Sequence, residues 1–74
     1  MKIIIAGCGK VGYALAEQLN EEGHELTIID TNEEKMRLGD ILDVMCIQGN
    51  ATSYRVQEEA GIKDADLLIA MTGK

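Results

Sequence analysis

The opening run Met1-Lys2-Ile3-Ile4-Ile5-Ala6, stopped by Gly7, narrows the folds open to this chain more than any other feature. Three successive isoleucines with no polar alternation make a strand that must be covered on both faces. Similar short apolar runs recur at Leu26-Thr27-Ile28-Ile29, Val44-Met45-Cys46-Ile47 and Leu67-Leu68-Ile69-Ala70-Met71. The segments between them change period. From Lys10 to Glu22, Val11, Ala14, Leu15 and Leu19 follow a helical stripe, and Gly23 is placed to end that helix in the left-handed conformation. Thr31 and Glu34 fit a capping box for a second helix, expected to be short because Gly39 and Asp40 interrupt it. A third helix is expected to start near Thr52 or Ser53, to turn Val56 and Ala60 inward and to stop at Gly61. The order is β-α-β-α-β-α-β. Non-alternating strands separated by helices predict an α/β fold, a Rossmann-like parallel sheet with helices on both faces. Right-handed crossovers predict the strand order 3-2-1-4.

Composition bounds the function classes. Seventy-four residues allow one domain, or half of a larger one. The chain is 46% hydrophobic but only 3% aromatic, without Phe or Trp, so its core is built from aliphatic side chains. A net charge of -6 argues against a phosphate-backbone binder of nucleic acid and against a polybasic membrane anchor. Two distant cysteines and a single histidine give neither a zinc spacing nor a secreted disulfide framework. The N-terminal apolar run is too short for a signal peptide, and no run reaches the ~20 apolar residues of a membrane span. A reduced, soluble, cytoplasmic protein is expected.

Gly7-Cys8-Gly9-Lys10-Val11-Gly12 matches G-x-G-x-x-G. Alone that pattern is weak. Here it follows a buried strand and opens a helix, and Asp30 ends the next strand 18 residues after Gly12, near the expected ~20. Gly7 permits the tight turn, Gly9 allows a pyrophosphate to approach, and Gly12 lets the helix pack against the strand. Backbone N–H groups at the helix start would bind anionic oxygens. Asp30 would accept the adenosine ribose hydroxyls and repel a 2′-phosphate, and positions 31–34 carry no Lys or Arg to attract one. NAD(H) or an adenine nucleotide (ATP, ADP or AMP) is therefore expected over NADP.

Beyond this fingerprint, Met1 to Gly12 resembles the opening of the TrkA N-terminal family, also called KTN or RCK. The resemblance continues through Gly23-His24-Glu25, Leu26 to Asp30, Gly49-Asn50-Ala51-Thr52, Ala60-Gly61-Ile62, Ala65-Asp66 and Ile69-Ala70-Met71-Thr72, essentially the whole chain. It implies a cytoplasmic, oligomeric, nucleotide-binding regulatory subunit of a potassium transport system, peripheral to the inner face of the cell membrane. In that family bound nucleotide changes ion flux. It further implies that Gly7, Cys8, Gly9, Lys10, Val11 and Gly12 hold the phosphates, and that Asp30 holds the ribose with Thr31 beside it. Asn50, Ala51 and Thr52 would border the adenine, and Met71, Thr72 and Gly73 would face the central phosphates or second ribose. Lys10 stands where family members often carry Arg, so it offers a point charge without the bidentate fork. Family domains continue beyond a turn like Thr72-Gly73 into two more strands. Residues 1–74 are therefore expected to be the N-terminal, truncated half of such a domain. The amino-terminal segment of an NAD-dependent oxidoreductase, and a scaffold that binds nothing and self-associates, stay open.

No nucleophile–base pair, metal cluster or hydride-positioning acid can be assembled from the remaining residues, so ligand binding without chemistry is expected. Cys8, at a helix start, reads as loop packing rather than a redox group, and Cys46 as core. His24 reads as a solvated turn residue, Asp64 and Asp66 as turn or capping groups. Tyr13 and Tyr54 are expected at the surface, with Tyr54 near enough to be weighed as a cover for the adenine.

Overall fold

The computed structural model describes residues 1–7 and 9–71. β1 (Lys2–Ala6) leads into α1 (Lys10–Glu21) and β2 (Glu25–Asp30). A 3-10 turn (Glu33–Arg37) then runs directly into α2 (Leu38–Leu42), followed by β3 (Met45–Gln48). Next come α3 (Tyr54–Glu59), a one-turn 3-10 segment (Ile62–Asp64) and β4 (Leu67–Ala70). The sheet is parallel throughout in the order β3-β2-β1-β4, as expected. Ile3 stands beside Leu26 on one side and Leu67 on the other.

The isoleucine run divides the core in two. Ile3 and Ile5 join Leu26 and Ile28 under Ala16 of α1 and Leu38 and Leu42 of α2. Ile4 and Ile29 face the opposite side, under Ala60, with Val56 and Ile62 packed around them. β1 and β2 are thus covered on both faces. β3 and β4 are not: Met45 is 59% exposed, Leu67 44% and Leu68 47%, because each edge strand has one strand neighbour among the described residues.

α1 turns a different face to the sheet from the one its large apolar residues suggest. Gly12 and Ala16 are buried, with Leu19 and Tyr13 packed against the core, whereas Val11 is 69% exposed and Ala14 is also exposed. The physical reason is close approach: the smallest side chains let the helix backbone near the sheet, which outweighs burying Val11. Tyr13 is consequently half-buried rather than superficial, while Tyr54 is exposed.

The entry to α2 differs as well. The side-chain cap stands at the head of the 3-10 turn that leads into it, and it is Asn32 rather than Thr31: Asn32 Oδ1 accepts the Glu34 N–H at 2.9 Å, while α2 itself starts after Arg37 with no side-chain cap. Gly39 and Asp40 lie inside α2 and do not interrupt it. Gly39 is needed because a Cβ there would stand 2.9 Å from the Val44 carbonyl oxygen. α2 stops where Asp43 turns left-handed, at φ 56°. The expected ends of α1 and α3 are found, while His24 is half-buried, with its ring nitrogens near the Met1 amine and Glu22, rather than a solvated turn residue. Gly23 and Gly61 are left-handed, and Ser53 caps α3 by accepting the Val56 N–H. Asp66 pins β4 to β1: its Oδ2 accepts the Lys2 N–H at 2.8 Å while its own N–H donates to the Lys2 carbonyl at 2.8 Å. Among the described residues no helix is long and apolar enough to cross a membrane.

Candidate functional site

The strand order reverses between β1 and β4, and in open α/β sheets such a reversal leaves a crevice beyond the strands' C-terminal ends. Here it is a cleft of about 840 Å³. Its floor is apolar, from Ile4, Ala6, Ile29, Leu68 and Ala70, and its rim is made by three loops.

The first loop follows β1. Gly7 is stitched between neighbouring strand ends: its N–H donates to the Ile29 carbonyl at 2.7 Å, and Met71 N–H donates to the Ala6 carbonyl at 2.7 Å. Its φ is +88°, and a Cβ would collide with the Met71 carbonyl oxygen. Gly9 has another role. It caps α1 in an extended conformation with no side-chain hydrogen bond, and a Cβ on it would meet nothing within 4 Å. So Gly7 is demanded by the backbone, and Gly9 leaves open space at the cleft mouth. The first intrahelical bond runs from Tyr13 N–H to the Gly9 carbonyl, and no acidic side chain lies in the first turn. The N–H groups of Lys10, Val11 and Gly12 have no intrahelical acceptor at that end, where the helix dipole is positive.

The second loop follows β2. Asp30 is half-buried, and its Oδ1 accepts the Asn32 N–H at 2.9 Å, which fixes the carboxylate at the strand end. The third loop is Gly49-Asn50-Ala51-Thr52. Asn50 Oδ1 accepts both the Thr52 N–H at 2.9 Å and the Thr52 hydroxyl at 2.8 Å. Gln57 Nε2 donates to the Ala51 carbonyl at 2.7 Å, and Gly49 N–H donates to the Asp30 carbonyl at 2.9 Å. These bonds hold the second and third loops at a fixed separation.

The cleft therefore gathers Gly7, Gly9, Asp30, Thr31, Asn50, Ala51, Thr52 and Met71 from the sequence-derived set. Lys10, Val11 and Gly12 form the first turn of α1 and are not among its lining residues, so they bear on it through their backbone. Cys8, Thr72 and Gly73 lie outside the described residues. Tyr54 does not line the cleft. Three further lining residues with polar side chains, Asn32, Lys35 and Gln57, escaped the sequence reading. Asn32 could have been found as the second residue after a strand-ending Asp, and Lys35 lies just beyond positions 31–34, which carry no Lys or Arg. Gln57 carries no local signal.

Chemically, the described residues of the cleft offer backbone donors, one carboxylate, one ammonium and an apolar floor. Among the described residues no group of three or more His, Cys, Asp or Glu is placed to hold a metal ion. Cys46 lies away from the cleft against the first core, where burial pushes its thiol pKa up.

Comparison with known proteins agrees with this arrangement. The family model of the TrkA-N domain matches residues 3–74. The chain is 47% identical over 73 residues to the Trk system potassium uptake protein TrkA of Vibrio alginolyticus, covering 97% of this chain and 16% of that protein. It is 41% identical over 75 residues to a TrkA homolog of Pyrococcus abyssi, covering 100% of this chain and 33% of that protein. This chain thus spans a third or less of the length of these relatives. Among solved structures, the Kef CTD of Shewanella denitrificans in its AMP-bound form superposes with a TM-score of 0.79 at 31% identity, covering 92% of this chain and 40% of that one. On sequence and structure together, the chain belongs to the TrkA-N domain family.

Proposed function

We propose that this chain is the nucleotide-binding part of a regulatory subunit of a potassium uptake system, with an adenine nucleotide or NAD(H) in the cleft between β1 and β4. The observation that carries the reading is the meeting, in one crevice, of a glycine loop, an uncapped helix start and a strand-ending carboxylate. The likeness to an AMP-bound structure supports the ligand class. In this reading the N–H groups of Gly9 to Gly12 hold phosphate oxygens, and Cys8 belongs to the same loop. Asp30 accepts the ribose hydroxyls, with Thr31 beside it. The Asn50-Ala51-Thr52 loop borders the adenine, and Met71, with Thr72 and Gly73 after it in sequence, is assigned to the central phosphates or second ribose. A chain of net charge -6 can bind an anion this way because the donors are backbone groups and a helix end.

The relatives are named as proteins of a potassium uptake system; to that our reading adds a cytoplasmic subunit docked on a potassium-transporting membrane partner, working as an oligomer, whose ligand state governs flux. Ligand recognition without bond making suffices for that role. Titration calorimetry with AMP, ADP and NAD tests the ligand reading. All three are expected to bind within about tenfold of one another, because the described cleft engages their common adenosine phosphate portion. No binding by any of them removes the nucleotide reading, and a much larger advantage for NAD removes the adenosine-phosphate account of the cleft.

A further inference from the structure

Two charged side chains line the cleft among the described residues, Asp30 and Lys35. The carboxylate is expected from the glycine fingerprint. The ammonium is not, and it changes what the ribose end can accept. Lys35 is half-buried, whereas its neighbours Glu33 and Glu34 are exposed and do not line the cleft. Its ammonium makes no ion pair among the described residues.

The backbone between the two charges is fixed by successive hydrogen bonds. Asp30 Oδ1 accepts from Asn32 N–H, Asn32 Oδ1 accepts from Glu34 N–H, and the Asn32 carbonyl accepts from Lys35 N–H at 3.0 Å. Lys35 is thereby held one 3-10 turn beyond the strand end, on the cleft side. A carboxylate alone at this place accepts ribose hydroxyls and repels any phosphate attached there. A lysine lining the same cleft supplies a compact positive charge with three donors on a flexible stem. A phosphate monoester carries between one and two negative charges near pH 7, enough to draw that ammonium over it.

Resting on the nucleotide reading of the cleft, we propose that Lys35 is a specificity-determining residue that lets the ribose end accept a second phosphate. The ligand class thus extends from AMP-like nucleotides to adenosine ligands phosphorylated on the ribose edge. Asp30 by itself would exclude them. Among the described lining residues one carboxylate stands against one ammonium, and that balance sets the preference.

The test compares AMP with adenosine 2′,5′-bisphosphate by titration calorimetry on the chain and on Lys35→Gln, Lys35→Glu and Lys35→Arg. The quantity read is the ratio of the two affinities, which cancels any general weakening of the cleft. Lys35→Gln is expected to lower the bisphosphate-to-AMP ratio about tenfold, the scale of a lost hydrogen bond to a charged group. Lys35→Glu is expected to lower it further, and Lys35→Arg to keep it. The drop should shrink as salt is raised. AMP binding with a ratio unchanged by Lys35→Gln and Lys35→Glu overturns this inference and leaves the nucleotide reading standing. Failure of AMP itself to bind overturns both.

Discussion

Gly7 and Gly9 belong to one motif, yet the structure separates their roles, and substitution should separate them too. Gly7 combines a φ of +88° with a backbone carbonyl in the way of any Cβ. A left-handed non-glycine residue costs about 1–3 kcal/mol before any collision, so Gly7→Ala should lower unfolding free energy by at least about 3 kcal/mol in urea titrations. Gly9 has ordinary dihedrals and open space around it. Gly9→Ala should therefore leave stability within about 1 kcal/mol, while its methyl weakens AMP binding about tenfold. Asp30 is tested by a pair of variants. Asp30→Ala should weaken adenosine ligands by roughly 1–3 kcal/mol, the value of a hydrogen bond to a charged group. Asp30→Asn keeps an acceptor for the Asn32 N–H, so a loss that persists in it belongs to the charge and not to a relaxed turn. No loss in either variant would take Asp30 out of the site. Cys46 gives a pH prediction. Burial raises its thiol from the ordinary 9.0, the Gly39 backbone hydrogen bond opposes this, and the charge of Asp40 adds to it. The fold thus favours the neutral thiol. That contribution is complete below the unfolded value of about 9 and is lost as pH rises through the higher folded value. Stability of the Cys46→Ala variant should fall less steeply above about pH 9 than that of the parent chain.

At the level of elements, what was legible in the sequence is what depends on local chemistry. A β-branched run makes a strand, and a glycine before a polar turn ends a helix, so all four strands and the ends of α1 and α3 were readable. What depends on the partner surface was not. The glycine motif announced the close approach at Gly12, but no single-helix pattern shows that α1 buries Ala16 beside it and leaves Val11 outside. The cap expected at Thr31 stands one residue later, at the head of the 3-10 turn, because Asp30 first takes the Asn32 N–H, which orients Asn32 to cap in its turn. That same turn carries Lys35 to the cleft, which is why its role could not be read from spacing alone. Gly39 shows how competing effects are decided by magnitude. Alanine in a helix gains up to about 1 kcal/mol over glycine, whereas overpacking against fixed backbone costs about 1–3 kcal/mol. With the Val44 carbonyl 2.9 Å from the would-be Cβ, the second effect wins. Gly39→Ala should destabilise by about 1 kcal/mol, seen as a lower urea midpoint with an unchanged slope.

At the scale of the whole molecule, the two-sided core sits under β1 and β2, and the sheet becomes progressively barer towards its edges. β4 leaves Leu67 and Leu68 on opposite faces, 44% and 47% exposed, beside a free strand edge among the described residues. An apolar, uncharged strand edge is a template for pairing with another chain. β3 is a weaker template: it ends in the polar Gln48, and the 3-10 turn packs close to it. The cleft adds to the asymmetry, because Leu68 and Ala70 belong both to its floor and to this edge strand. Association through β4 and nucleotide binding therefore share residues, and each should influence the other. The 74-residue chain is expected to self-associate through β4 as its concentration rises, measured by light scattering. Leu67→Lys, which places a charge on the face away from the cleft, should restore the monomer without touching a cleft-lining residue. A clean monomer of the unsubstituted chain at high concentration would show that β4 is adequately protected as it stands. Self-association undiminished by Leu67→Lys would move the contact to another surface, with the exposed Val11 and Ile41 as the next apolar positions to charge.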